Sequence, residues 1–206
     1  KDRLTTKDYF TNEEQLQLYS NQFYSNNFPG DGDIYKDNAD VLIVSPLDDE
    51  VSGQRVIPET GGGWSWSALR SINFLLDNLG NCKDQKVRDK YEALARFFRA
   101  YFYFEKVKRF GDVPLVVDLF DPNAEELNLP RTPYAEIVDS IVKWCDEAIP
   151  YLPLKYSDST QGRVTKGVAL MVKSRTLLYA ASKLNNPENN KDKWKNMENG
   201  QQLDAE

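Results

Sequence analysis

The sequence predicts an all-α fold of α-solenoid type, in which tetratricopeptide-type helical hairpins are joined by long irregular loops. Apolar side chains recur at helical spacing in successive segments, and glycine or proline follows most of them. The longest uninterrupted aliphatic run is Val41–Val44, far short of the ~20 residues that span a bilayer. Helical hairpins of this type stack, each covering the apolar face of its neighbour. We therefore expect residues 1–206 to form one helical-repeat domain.

The first predicted element is a helix over about residues 11–26. Thr11-Asn12-Glu13-Glu14 matches a capping box, in which side chains satisfy the first backbone N–H groups of a helix. The apolar residues that follow at helical spacing are Leu16, Tyr19, Phe23 and Tyr24. Residues 28–64 are rich in glycine and aspartate, and so long a connection inside a compact chain is usually functional or mobile.

A first helical hairpin is predicted over about residues 66–110. Its first helix carries leucine and isoleucine at i, i+3, i+7 and i+10, and Gly80 after it suits a left-handed C-terminal cap. The second, longer helix covers about residues 84–110 and is ended by Gly111. Its predicted inner face comprises Val87, Tyr91, Leu94, Ala95, Phe98, Tyr101 and Phe102.

A second hairpin is predicted over about residues 133–184. Thr132 is expected to cap its first helix, with Pro133 at the first helical position. Thr165 is expected to cap its second helix. The apolar stripe of that second helix comprises Val168, Val172, Leu177, Ala180 and Leu184. A further helix is expected to start within about residues 191–203.

The charge and residue counts exclude several classes of function. With 26 basic and 32 acidic residues the formal net charge is −6, which argues against nucleic acid or an anionic membrane surface as the partner. The chain has no histidine, which excludes Ser-His and Cys-His nucleophile pairs and most zinc sites. Cys82 and Cys145 either pair or remain free and buried, and the second alternative is favoured. No cofactor is predicted.

Acidic clusters in the loops fit neither a metal site nor a glycosidase. Around Asp31–Asp40 the spacing departs from that of an EF-hand, because Tyr35 and Lys36 stand where a ligand and a glycine belong. Asp48-Asp49 and Glu125-Glu126 are adjacent residues in polar loops, whereas a retaining glycosidase needs carboxyl groups about 5 Å apart across a cleft. We expect no metal site and no catalytic residues, and a carboxylate-dependent glycosidase is the least favoured alternative.

Trp64-Ser65-Trp66, which follows three glycines, is the predicted ligand-binding feature. Sugar rings present flat C–H faces that lie against an aromatic ring, and glycines let the backbone carry such a ring to the surface. Alternatively Trp66 packs inward as the first apolar residue of its helix, and Trp64 caps that end of the core. The polar side chains expected to complete the site are Asn38, Asp40, Arg55 and Arg70.

Several stretches of this sequence together carry a family resemblance. Glu92–Phe104 (EALARFFRAYFYF) and Arg109–Leu115 (RFGDVPL) closely resemble the core signature of the SusD/RagB-like family. Trp66–Leu79, Leu152-Pro153 and Gly162–Gly167 agree with that family in kind and order. The resemblance covers essentially the whole chain and implies a helical fold with tetratricopeptide-like hairpins.

The sequence departs from the family in two ways. Leu94 stands where the family usually has an acidic residue, which leaves the partners of Arg96 and Arg99 open. The chain also stops where the family continues into a second, more irregular half. The lipid-bearing cysteine of the family would precede Lys1.

The resemblance also implies a function. Such proteins are non-catalytic and bind glycans, or sometimes peptides, on the outer face of the outer membrane of Bacteroidetes-type bacteria. They are lipid-anchored, here through an anchor upstream of the chain, and deliver oligosaccharide to a SusC-like TonB-dependent transporter. The alternative is a helical scaffold half that docks on the transporter or on a surface glycosidase, with ligand contacts made by a missing C-terminal half.

Overall fold

The fold is all-α with helical hairpins, which confirms the predicted fold class. The computed structural model describes residues 9–29, 49–54, 61–120, 129–157 and 161–182, together with residues 56, 59, 184, 185, 194, 195, 202 and 203. Its helices are α1 (Glu13–Asn27), α2 (Asp49–Ser52), α3 (Ser67–Asn78), α4 (Gln85–Phe110), α5 (Tyr134–Ala148) and α6 (Lys166–Ala180). Most of the loop-rich stretch 28–64, including Val41–Val44, lies outside the described residues.

The N-cap of helix α1 lies one residue later than the sequence predicts. The N-cap is Asn12, whose Oδ1 accepts a hydrogen bond of 3.0 Å from the backbone N–H of Gln15. In return, Gln15 Oε1 accepts a hydrogen bond of 2.9 Å from the backbone N–H of Thr11. The reciprocal pair is therefore shifted from the predicted Thr11–Glu14, because the asparagine side chain is the one that reaches the helix N–H groups.

Helices α3 and α4 form the first hairpin, and the predicted start and end of α4 are confirmed. Asp84 caps α4, since its Oδ1 accepts from the backbone N–H groups of Lys86 (2.9 Å) and Val87 (3.3 Å). Gly111 ends it with a left-handed φ of 65°. The left-handed cap expected at Gly80 is wrong, because the chain continues there into a 3₁₀ turn over Leu79–Asn81.

The N-terminus of helix α5 is capped by a residue that is distant in sequence, not by the adjacent threonine. The N-cap position is Pro133, not Thr132, and it makes no side-chain capping bond. Asp112 Oδ1 instead accepts a hydrogen bond of 2.8 Å from the backbone N–H of Tyr134. Thr132 is held in an extended pairing with Val113, to whose carbonyl its N–H donates at 3.0 Å. This pairing brings the adjacent Asp112 to the start of α5.

Helix α6 buries a different face from the predicted stripe. Its buried residues are Ala169, Val172 and Thr176. Of the predicted stripe Val172 is buried, whereas Val168, Leu177 and Leu184 are exposed by 36%, 47% and 63%. The assignment was wrong because α6 has apolar residues on more than one side, so periodicity alone did not select the covered face.

The last predicted helix is not formed at the described positions. Within residues 194–203 the structure has an antiparallel pairing of β1 (Trp194–Lys195) with β2 (Gln202–Leu203). The segment carries few apolar residues and contains asparagine and glycine, which have low helix propensity.

Helix α4 lies at the centre of the core and contacts α1, α3, α5 and α6. Its aromatic rings pack edge to face with rings of α1, as Phe98 does with Phe23 (5.6 Å between centroids) and with Tyr24 (4.9 Å). Its fully buried side chains include Tyr91, Phe97, Phe98, Tyr103 and Phe104. No helix in the described part of the chain combines the length and the apolar character needed to cross a membrane.

The two arginines left open by the sequence have different partners. Arg96 forms ion pairs with Glu92 on its own helix and with Glu147 of α5. Arg99 is buried, and its Nε and Nη2 donate to Asn73 Oδ1 at 3.1 and 2.8 Å. Its guanidinium also lies 5.3 Å from the centroid of the Trp144 ring, in cation–π geometry. Arg99 therefore links α3, α4 and α5 through Asn73 and Trp144, although position 94 carries a leucine in place of an acidic residue.

Candidate functional site

The glycine run before α3 places two tryptophans against the end of α4. Gly61, Gly62 and Gly63 have φ values of 81°, 56° and 84°, a left-handed conformation that other residues rarely adopt. A side chain at Gly63 would also collide with the guanidinium of Arg109. Glycine at position 63 therefore allows both this left-handed backbone and the close approach of the Arg109 side chain.

Trp64 is the exposed aromatic residue of this region, with 39% of its surface accessible. Its ring packs edge to face on Phe110 (4.8 Å between centroids) and on Trp66 (5.2 Å). The guanidinium of Arg131 lies 5.6 Å from its centroid. The indole thus packs against three neighbouring side chains, while part of its surface remains accessible.

Trp66 faces the core rather than solvent. It is half-buried, and its ring lies 5.6 Å from that of Phe102 and 6.2 Å from that of Tyr103. This placement matches the inward packing that the sequence offered as the alternative for Trp66. Trp66 also contacts Trp64 edge to face, so it lies between that indole and the core.

Lys106 connects the tryptophan loop to α4, and the sequence did not single it out. Its Nζ donates a hydrogen bond of 2.5 Å to the carbonyl of Gly63 and lies 5.0 Å from the Phe102 ring and 5.7 Å from the Phe110 ring. Burial, and secondly the charge of Arg109, lowers the pKa of Lys106. A sequence signal existed, because phenylalanines flank this lysine at i−4 and i+4.

A cavity of about 680 Å³ opens beside Lys106. It is bounded by the ends of α1 and α4, the start of α3 and Arg175 of α6. Gly63, Ser65 and Phe110 belong both to its wall and to the tryptophan region. Among the described residues of that wall, Trp64, Trp66 and Arg70 do not occur, so the indoles lie next to the cavity rather than inside it.

The other predicted site residues are only partly accounted for. Arg70 lies one helical turn after Trp66, and its Nη1 donates a hydrogen bond of 2.8 Å to the carbonyl of Phe120. The predicted residues Asn38, Asp40 and Arg55 lie outside the described residues. In the part of the chain that the structure describes, no three His, Cys, Asp or Glu side chains are grouped as metal ligands would be. The geometry offers an aromatic surface, hydrogen-bond donors and positive charge.

Comparison with known proteins gives a family and several similar folds. Residues 63–178 match the model of a SusD-like family described as starch-binding and associating with the outer membrane. None of the curated proteins matches this chain.

Three solved structures illustrate the similarity. A SusD-like protein from Bacteroides fragilis is 25% identical, with a TM-score of 0.63 over 88% of this chain and 37% of its own. A laminarin-binding SusD-like protein is 26% identical, with a TM-score of 0.53 over 60% of this chain and 27% of its own. Surface glycan-binding protein A from Bacteroides uniformis is 26% identical, with a TM-score of 0.51 over 58% of this chain and 27% of its own. The chain thus spans well under half the length of these three proteins.

Proposed function

Since this chain belongs to the SusD-like family, we propose that it binds glycan at the cell surface and passes oligosaccharide to a SusC-like TonB-dependent transporter. The observation that carries the proposal is Trp64, an accessible indole that packs edge to face on Phe110 and Trp66. A fixed aromatic ring offers a sugar a flat apolar surface at little cost in side-chain entropy. The names of the laminarin-binding and glycan-binding relatives support the same ligand class.

The proposed site combines this ring with polar side chains that the sequence analysis singles out. Trp64 stacks on a sugar face, and Trp66 supports it from the core side. Arg70, Asn38, Asp40 and Arg55 are proposed as partners for the sugar hydroxyls. The protein acts without catalysis, since binding by shape, stacking and hydrogen bonds needs no nucleophile or general base. We place it on the outer membrane surface, held by a lipid anchor upstream of this chain.

The experiment is affinity electrophoresis of the purified chain in native gels cast with plant, host and microbial polysaccharides. We expect one class of glycan to retard the chain, and Trp64→Ala to weaken that binding about tenfold, the loss of a single stacking contact. Tyr151→Ala is the matched control, since Tyr151 is an exposed aromatic residue (56%) on the segment after α5. A thermal melt of each variant confirms that it folds.

A second candidate, the scaffold role, is favoured by a specific observation on α6. Leu170, Met171, Leu177 and Leu178 are exposed by 49%, 68%, 47% and 71%, and exposed apolar surface of this kind marks interaction sites. In this alternative the helices dock on the transporter or a surface glycosidase. Unchanged glycan affinity in Trp64→Ala, together with continued association with the transporter, would favour the scaffold and contradict the aromatic site.

A further inference from the structure

The cavity beside Lys106 carries positive charge in a chain that is negative overall. Its wall includes Lys106, Lys108, Arg109 and Arg175, against the single carboxylate of Glu105 among the described wall residues. The whole chain has a formal net charge of −6. A local excess of positive charge in an acidic protein is a recognition feature, because it raises the local concentration of anions against the general field.

The one carboxylate in this wall already has a partner. Glu105 Oε1 lies 2.6 Å from Lys108 Nζ in an i, i+3 ion pair on α4. Within the described part of the chain, no ion pair joins Arg109 or Arg175 to a carboxylate. The positive charge of these two guanidinium groups is therefore not neutralised by a carboxylate of the described residues.

Lys106, which also lines the cavity, adds to the positive charge there. Lys106 is 8% exposed, and its ammonium group has the Gly63 carbonyl as its hydrogen-bond acceptor and lies over three aromatic rings. Burial lowers its pKa, and Arg109 lowers it further. An anion bound beside Lys106 and Arg109 would relieve that repulsion, so charged ligands gain more here than neutral ones.

The remainder of the wall suits a sugar. Tyr101, Phe102 and Phe110 supply aromatic surface, while Asn26 and Ser65 supply side chains that hydrogen-bond hydroxyl groups. A volume of about 680 Å³ lies within the ordinary range of ligand sites. Because Ser65 and Phe110 also adjoin Trp64, a chain of sugars stacked on the indole can continue into the cavity.

We propose that the glycan bound by this protein is anionic, carrying carboxylate or sulfate groups, and that Arg109 and Arg175 bind those groups in the cavity beside Lys106. This inference rests on the proposed glycan-binding function and specifies its substrate class. Guanidinium groups suit both anions, since they donate two parallel hydrogen bonds to carboxylate or sulfate oxygens.

The test is calorimetric titration of the purified chain with matched oligosaccharides. An oligogalacturonide represents uronates, a κ-carrageenan oligosaccharide, which has sulfate but no carboxylate groups, represents sulfated sugars, and the methyl-esterified oligogalacturonide is the neutral match of the first. We expect at least one anionic ligand to bind tenfold or more tightly than the neutral match, and this preference to shrink as salt is raised. Which anionic ligand binds tells carboxylate from sulfate recognition.

Arginine variants test whether the preference for anionic ligands arises in this cavity. Arg175→Gln and Arg109→Gln are each expected to weaken binding of the anionic ligand about tenfold while leaving that of the neutral match unchanged. Lys143→Gln is the control, because Lys143 is exposed on α5 and is not part of the described cavity wall. Arg175 lies on a different helix from Lys106, so its variant remains informative if Arg109→Gln disturbs the contact at Gly63.

The outcomes separate this inference from the proposed function. Anion binding unaffected by both arginine variants overturns the assignment of the charged groups to this cavity. Equal affinity for anionic and neutral ligands overturns the anionic substrate class. In that case neutral binding that still depends on Trp64 leaves the proposed function intact. No binding of any glycan, neutral or charged, contradicts both.

Discussion

Helices α4 and α6 are both rich in apolar residues, yet the fold treats them differently. Helix α4 is surrounded by α1, α3, α5 and α6, and most of its side chains from Tyr91 to Val107 are buried. Helix α6 contacts α5 and, at its edge, α4, and buries only Ala169, Val172 and Thr176. Apolar composition alone therefore does not determine which helix is central, since that depends on how many neighbours the topology supplies.

The exposed side of α6 is itself regular. Leu170, Met171, Leu177 and Leu178 occur at i, i+1, i+7 and i+8, which places them along one stripe of the helix. At 100° per residue this stripe lies nearly opposite the one formed by Ala169, Val172 and Thr176. A helix with two apolar stripes is suited to lie between two layers, as α4 does.

The largest difference is expected when equivalent truncations are made in the two helices. Phe98→Ala in α4 removes a ring that is fully buried against Phe23, Tyr24 and Phe97, and should lower the free energy of unfolding by about 3–5 kcal/mol. Leu178→Ala in α6 removes a side chain that is 71% exposed, and should change it by less than about 0.5 kcal/mol. Urea unfolding followed by circular dichroism measures both. Similar losses in the two variants would mean that the stripe of α6 is covered in solution.

A smaller effect is expected at the buried arginine of α4. Asn73→Ala removes the oxygen that accepts two hydrogen bonds from Arg99, and leaves that guanidinium with the carbonyl of Val117 and the face of Trp144. We expect a loss of about 1–3 kcal/mol in the free energy of unfolding.

The control for the Asn73 variant is Arg96→Gln, on the same helix. Arg96 forms its ion pairs at a partly exposed position, so its removal should cost at most about 1 kcal/mol. Equal losses in Asn73→Ala and Arg96→Gln would contradict the special role of Arg99 as the buried link between α3, α4 and α5.

The comparison also separates what the sequence predicts from what only the structure reveals. The start and end of α4 were predictable because Asp84 and Gly111 act within one turn of the helix. The cap of α5 was not, because its acceptor, Asp112, is brought there by the pairing of Val113 with Thr132. Caps supplied by residues next to the helix can be predicted from the sequence, whereas caps supplied through tertiary contacts cannot.

The candidate site divides in the same way. The glycines and Trp64 were predictable, because a glycine run before a tryptophan is a local pattern. Lys106 and the cavity could not be predicted, because they are formed by tertiary contacts. The Gly63 carbonyl approaches Lys106 from the loop before α3, and Arg175 reaches the cavity from α6.

The smallest expected effect on stability concerns the thiols. Their reactivity compares the buried core with the exposed side of α6. Cys82 and Cys145 are free and buried, and burial raises the pKa of Cys145 to about 12. At pH 8 only roughly one Cys145 in ten thousand is then a thiolate, so a thiol reagent such as DTNB should not label it in the folded protein. Met171→Cys places a thiol at a position of α6 that is 68% exposed, where labelling should be complete within minutes.

The same shift sets the sign of a pH dependence. Because the folded pKa of Cys145 is above its ordinary value of 9.0, its contribution to stability is fully present below pH 9 and is lost as the pH rises toward about 12. Burial likewise raises the pKa values of Tyr91 and Tyr103, which adds to the loss in alkali. Urea midpoints should therefore fall between pH 9 and pH 11 while they change little between pH 7 and pH 8. Rapid labelling of Cys145 at pH 8 without denaturant would mean that the contact between α4 and α5 opens readily, and that the centre of the fold is as accessible as the stripe on α6.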